Sequence, residues 1–585
     1  MALTLRGATA HAHGRHDVAA REFRRLTRLE PDAPAHWLNF GTALRALGRY
    51  DEALAAYARA HALGGVTADF CFNVGLTHLD RLDFESARAV LAQGAALAPQ
   101  DGEMRLQYAK ACFESGHTDA GLAALDGWQH LPLAAGAVAE IGQRLQGAGE
   151  SGGAAAVIER LRAAGRASDP GARLALVQML ERANRLDEAE AEMARLRAAL
   201  VLPGPAHASG PDLASGLAAT EGRLAQRAGR HQDAIAHFEY ALALDAQPHR
   251  RHHELFPLAR SLDALGRHDE AWARLGEAHR SQVAQVRMAA PALAVRGAPT
   301  FALATHATGP DDLAGWSDEG APTAEASPVF IVAFPRSGTT LLEQVLDAHP
   351  DLCAMDEQPF LQRALEELDQ AAGGGYPVAL ARVGSPELAA IRNRYLERAQ
   401  RKAGLSPGRR FVDQRLVDKN PLNLLRLPAI RRLFPHSRIL LAVRHPCDVL
   451  LSCHMQHFTA PEFALLSADL PSLASGYRRA FDGWYREQAA LGPAVREVRY
   501  EALVRDFERE VRAIAAFLGL RWSDALLAPG AHARGKAWIS TPSYARVVQP
   551  VDTRAIGRWR AYAQHFAPVL PLLAPYLGRW GYEAA

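Results

Sequence analysis

The feature that most limits how this chain can fold is a recurrence at a step of 34 residues along its first half. Gly7, Gly41, Gly75 and Ala109 form one column, and Gly14, Gly48, Leu82 and Gly116 a second. Ala19, Ala53, Ala87 and Gly121 form a third, and Phe23, Tyr57, Leu91 and Leu125 a fourth. Pro31 and Pro99 stand two periods apart, at repeat ends. Such a period marks stacked helical units, none of which buries its apolar face alone. Small residues let the two helices of a hairpin approach closely, and the large apolar column fills the space between hairpins. A glycine ending the first helix serves where a left-handed residue is needed.

The text LRALGRYDEALAAYARAHAL at residues 44–63 closely resembles a tetratricopeptide repeat. Similar units recur at 174–200, at 221–244 (Gly222, Gly229, Ala234, Phe238) and at 255–279 (Ala259, Gly266, Ala271, Leu275). The Gly/Ala-rich stretch 135–170 reads as eroded repeats, giving six or seven recognisable hairpins. The expectation is an all-α solenoid over residues 1–280, whose concave face offers a surface to a protein partner. Residues 281–327, with GPDDLAGWSDEGAPTAEASP, read as a linker. Residues 328–585 read as a second domain.

Lys plus Arg number 66 and Asp plus Glu 64, a net charge of +2. That balance excludes a general nucleic-acid binder, whose affinity needs clustered cations, but leaves room for a local anion pocket. The five cysteines, Cys71, Cys112, Cys353, Cys447 and Cys453, form no CxxC pair and suggest neither a disulfide framework nor a zinc site. No apolar run approaches the roughly 20 residues that span a bilayer. The N-terminal text lacks the apolar core of a signal peptide. The expected compartment is the cytoplasm, with no membrane span.

The second half opens with VFIVAF (329–334), an apolar run suited to a buried parallel strand. Pro335-Arg336-Ser337-Gly338-Thr339-Thr340 follows, then the apolar-periodic LLEQVLDAH. A strand, a small-residue loop and a helix make an anion site, because free N–H groups and the helix dipole face the loop. Gly338 permits close backbone approach, Ser337, Thr339 and Thr340 line the loop, and Arg336 supplies a fork of charged donors. The lysine and first glycine of a nucleotide-kinase loop are missing. RILLAV (438–443) is followed by Arg444 rather than a magnesium-binding carboxylate.

FPRSGTTLLEQVLDAHP (334–350) resembles the 5′-phosphosulfate loop of sulfotransferases that use 3′-phosphoadenosine 5′-phosphosulfate (PAPS), most closely the tyrosylprotein branch. The resemblance covers residues 328–585, and the pairing with repeats is similar to that of bacterial repeat-containing sulfotransferases. It implies a three-layer α/β domain with a central parallel sheet, P-loop-like, carrying VFIVAF beside LVDK and RILLAV. Helices over 386–402 and 473–490 would flank the sheet.

By this resemblance Glu357, in AMDEQPFL, is the general base, with the adjacent Asp356 as the alternative. Lys419, in LVDKNPLN, acts near the bridging oxygen and the sulfuryl group. Arg444 and Ser452 hold the 3′-phosphate. Gln456 stands where the tyrosylprotein branch has a second arginine. Tyr500, in EVRYEALV, contacts the adenine. Ser543 lies near the transferring group, and Arg558 on the 3′-phosphate side. The spacing of His445, His454 and His457 gives no coherent ligand set, and no metal is expected.

The implied reaction moves the sulfuryl group to a hydroxyl acceptor, releasing adenosine 3′,5′-bisphosphate. The acceptor stays open: a protein or peptide tyrosine, or a carbohydrate, lipid or small-molecule hydroxyl. Competing readings are a repeat scaffold with an inactive PAPS-binding domain, and an atypical small-molecule kinase.

Overall fold

A computed structural model describes residues 2–147, 150–164, 169–201, 211–245, 247–289, 293, 308, 316–403, 414–535 and 551–583. The chain divides into two compact units. The first comprises Met1–Gly229, Ala243–Asp245 and Arg287–Pro291. The second comprises Arg230–Leu242, Ala246–Val286 and Ala292–Ala585.

The first unit is a run of antiparallel helix pairs, beginning Ala2–Ala12 and His16–Leu29, then Pro34–Ala46 and Tyr50–Gly64. The columns of the 34-residue period have direct structural counterparts. A Cβ on Gly41 would stand 2.4 Å from the Tyr57 ring, and one on Gly75 would stand 2.4 Å from Leu91. The small column is therefore the seat of the large one. Gly14, Gly48, Leu82 and Gly116 all have positive φ, so the second column is a left-handed helix stop even where it is leucine. The degenerate stretch holds a regular pair, Ala135–Gly147 and Ser151–Ala164. Val138, Ile141, Val157 and Ile158 maintain its core without the large aromatic column.

The second unit begins with helical residues of repeat type. Two of its helices are α1 (His252–Ala264) and α2 (His268–Ala289). Helix α2 runs past residue 280, where the linker was expected to start, because Leu275, Ala278 and Val286 continue one buried stripe. Up to Val286 these helices fall in the same compact unit as the C-terminal residues.

The sheet of this unit consists of β1 (Val329–Ala333), β2 (Leu352–Ala354), β3 (Arg415–Lys419), β4 (Arg438–Val443) and β5 (Ala494–Arg499). Its order is β2-β3-β1-β4-β5, all parallel. All five residues of β1 are buried, as its unbroken apolar text requires for a strand covered on both faces. On one face Val329, Ile331 and Ala333 share a core with Leu342, Val345 and Ile514. On the other, Phe330 packs on Phe434 and Phe334 on Tyr477. The result is the expected three-layer arrangement, with flanking helices Ser385–Lys402 and Leu470–Leu491. Register pairs Ile331 with Lys419 and Ala333 with Ala442, so β1, β3 and β4 end along one edge. The chain leaves β1 toward β2 on one side and leaves β3 toward β4 on the other. A crevice beside β1 is where ligands sit in such sheets.

Candidate active site

The loop after β1 is built on two left-handed residues. Arg336 has φ 72° and Gly338 φ 92°. Helix α3 (Thr339–Asp347) starts directly from Gly338. A Cβ at Gly338 would lie 2.5 Å from Tyr500 Cδ2, so the glycine is required by the close approach of this ring. Ser337 Oγ donates to Phe334 O at 2.7 Å and closes the turn from inside. Thr339 and Thr340 are buried at the helix start. A left-handed arginine is strained; here its side chain is held by a bond from Nε to Ser452 Oγ at 3.1 Å.

Ser452 lies on helix α4 (Pro446–His454), which follows β4. Arg444, between β4 and α4, is buried and gathers the rest of the pocket. Its Nη1 donates to Arg336 O at 3.2 Å, its Nη2 donates to Ala555 O, and its guanidinium lies 4.9 Å from the Tyr500 ring centroid. Its Nε is buried with no hydrogen-bond partner among the described residues. Tyr500 opens helix α5 (Tyr500–Arg505), directly after β5. Arg336, Ser452, Arg444 and Tyr500 thus converge from three separate strand ends.

Lys419 ends β3 and is fully buried. Its Nζ sits 3.0 Å from Glu357 Oε1 and 3.1 Å from Glu343 Oε2. Burial alone would lower its pKa; the carboxylates of Glu343, Glu357 and Asp356 outweigh this and raise it above the usual lysine value. The side chain of Glu357 is 44% exposed, so one member of the cluster faces outward. Asp356, with φ 55°, makes the turn that presents Glu357. Asp418, beside Lys419, accepts from Tyr395 OH at 2.6 Å and Asn423 Nδ2 at 3.1 Å, and burial raises its pKa to about 6. It anchors the strand end from behind.

Arg558 Nη2 bonds Asp263 Oδ2 of α1 at 2.5 Å, so its charge is met by a carboxylate. Gln456 Nε2 donates to His457 O at 3.0 Å. Ser543 lies outside the described residues. The structure adds two acidic residues. Glu343 could have been suspected as the charged residue within the apolar LLEQVL stripe of α3. Asp448, in the first turn of α4, accepts from Gly557 N at 2.7 Å and Trp559 N at 3.0 Å, holding the C-terminal segment against Arg444. Its sequence signal was only an acidic helix start.

A buried guanidinium with an unpaired N–H, a second arginine and a helix N-terminus form a donor set suited to an anion, with an aromatic ring beside it. A lysine–glutamate pair stands at the next strand end. This arrangement can bind an anion, stabilise charge on a leaving oxygen and accept a proton.

Residues 328–524 match the model of the sulfotransferase family, and residues 5–65 match a tetratricopeptide repeat. An uncharacterized protein of Aquifex aeolicus is 26% identical over 257 residues, 42% of this chain and 32% of that protein. The chain therefore spans about a third of that relative's length. Protein-tyrosine sulfotransferase 2 of Gallus gallus is 30% identical over 272 residues, 44% of this chain and 69% of that protein. Among solved structures, the sulfotransferase domain of the Synechococcus PCC 7002 olefin synthase aligns at 23% identity and a TM-score of 0.32, over 45% of this chain and 98% of that one. With its family match, its Gallus gallus relative and the strand-end cluster together, the chain belongs to the sulfotransferase family, with tetratricopeptide repeats ahead of the sulfotransferase domain.

Proposed function

We propose that this chain transfers the sulfuryl group of PAPS to a hydroxyl acceptor, a tyrosine of a protein or peptide. The observation that carries the donor assignment is the convergence of Arg336, Arg444, Ser452 and Tyr500 on the loop before α3. The acceptor reading is supported by the relative named a protein-tyrosine sulfotransferase and by the repeats, an architecture suited to binding peptides. The reaction is placed in the cytoplasm, where scattered free thiols persist.

The donor supplies a sulfuryl group activated on the 5′-phosphate. Arg336 and the N–H groups at the start of α3 hold that phosphate, while Arg444 and Ser452 hold the 3′-phosphate. Tyr500 faces the base. Glu357 takes the acceptor hydroxyl proton as the new S–O bond forms. Lys419, kept charged by its carboxylates, stabilises negative charge on the bridging oxygen as the S–O bond to the 5′-phosphate breaks.

Calorimetric titration with adenosine 3′,5′-bisphosphate, with ATP plus magnesium as control, tests the donor site. Bisphosphate binds and ATP does not. Arg444→Ala weakens binding roughly 10- to 100-fold, the value of a charge-assisted bond. Labelled PAPS with tyrosine peptides, glycans and phenols then tests the acceptor. Preference for ATP overturns the donor assignment, and transfer only to glycans overturns the acceptor.

A further inference from the structure

His252 and His253 open helix α1, and His457 lies just beyond α4. The fold brings the three rings together. Their centroids are 4.1 Å apart for His252 and His253, 5.0 Å for His252 and His457, and 5.2 Å for His253 and His457. One nitrogen from each lies within 4.8 Å of the others.

The hydrogen bonds around His252 decide which nitrogen is available. Ser281 Oγ donates its single proton to Pro248 O at 2.7 Å. It can therefore only accept from His252 N at 3.2 Å and from His252 Nδ1 at 3.3 Å. The network assigns the ring proton to Nδ1 and leaves a lone pair on Nε2. The ring is fully buried, and Nε2 has no hydrogen-bond partner among the described residues. A buried acceptor left without a donor is costly, and a cation beside it removes that cost. An imidazole whose other nitrogen is fixed by a second group is the usual form of a metal ligand.

We propose that His252, His253 and His457 bind one divalent transition-metal ion of the zinc class, with a water in the fourth position. Three imidazoles without a carboxylate suit zinc, nickel or copper rather than calcium or magnesium. Zinc is held about 2.0–2.1 Å from each imidazole nitrogen, so on binding the three nitrogens, now within 4.8 Å of one another, draw in toward the ion. His253 is exposed and His457 partly so, which provides an entry path.

The ion clamps α1 to the turn that follows Ser452. That turn is already held there by His279 Nε2 donating to His454 O at 2.8 Å, Gln282 Nε2 donating to Phe458 O at 2.6 Å, and Phe256 stacked on His457. The site is structural and independent of the assignment of donor or acceptor.

The test is calorimetric titration of the full, untagged chain, stripped by chelator, with zinc alone, followed by the visible spectrum with cobalt(II). One equivalent binds, and cobalt gives a four-coordinate spectrum. His253→Ala and His457→Gln, both at solvent-reachable positions, each lower zinc affinity at least tenfold. Ser281→Ala lowers it roughly 10- to 100-fold, as loss of a ligand-orienting partner does. Zinc raises the melting temperature of the parent above its value in chelator and leaves that of His253→Ala and His457→Gln unchanged. Absence of stoichiometric binding, or binding unchanged in both of these variants, overturns the proposal.

Discussion

Lys419 Nζ lies 3.1 Å from Glu343 Oε2, and both side chains are shut off completely from solvent. Two charges in such a place are tolerated only as a pair, because each alone would carry its full desolvation cost. The pair ties the end of β3 to α3, the helix that starts at the phosphate loop. It also frees Glu357 from being the sole neutraliser of the lysine.

Glu343→Gln therefore removes a positioning residue. The expected loss of stability is about 3 kcal/mol, near the lower end for breaking a buried pair because Glu357 remains. Urea unfolding followed by circular dichroism measures it. A shift under about 0.5 kcal/mol, the range of an ordinary surface change, would show that the pair does not anchor the site.

Glu357→Gln keeps the shape and a hydrogen bond to Lys419 but removes the base. Turnover with labelled PAPS falls on the order of 10²–10⁴-fold, with unfolding midpoint and bisphosphate affinity retained. Near-normal turnover would sink the assignment.

Asp263 accepts from Arg558 at 2.5 Å and from Tyr562 OH at 2.7 Å, joining α1 to the C-terminal segment within one compact unit. A double-mutant cycle of Asp263→Ala and Arg558→Ala has a coupling energy of about 0.5–3 kcal/mol in stability. Zero coupling, together with weaker bisphosphate binding in Arg558→Ala alone, would return Arg558 to the nucleotide site.

His279 and His454 are buried with rings 4.3 Å apart, and His454 Nδ1 donates to Ser467 O at 3.0 Å. Burial pushes His279 down to about 3, assisted by the charge His454 would carry. Burial pushes His454 down to about 4, assisted by His565 and opposed by its bond to Ser467 and by Asp469. Both stay neutral in the fold, whereas the unfolded chain takes up protons near pH 6.5. Their contribution is fully present above about pH 6.5 and is lost as pH falls from there toward 4 and 3, at about 1.4 kcal/mol per unit for each group. The urea midpoint is accordingly lower at pH 5 than at pH 7.5, and His454→Gln flattens the profile. An unchanged midpoint between these pH values in the parent would contradict the burial argument.

The repeat period, the buried central strand and the loop are all legible in the amino-acid sequence. Each is a local pattern: Tyr57 over Gly41, an unbroken apolar run at 329–333, and small residues between a strand and a helix. Resemblance to the family then pointed to Arg336, Glu357, Lys419, Arg444, Ser452 and Tyr500, which the structure places at neighbouring strand ends. Meetings between distant segments, by contrast, arise only from packing. Glu343 joins Lys419 because β3 pairs directly with β1. Arg558 meets Asp263 because the last repeat-type helices belong to the C-terminal unit. His457 finds His252 and His253 for the same reason. No spacing along the chain encodes these contacts, since burial and charge pairing act through space and are settled only when the segments pack.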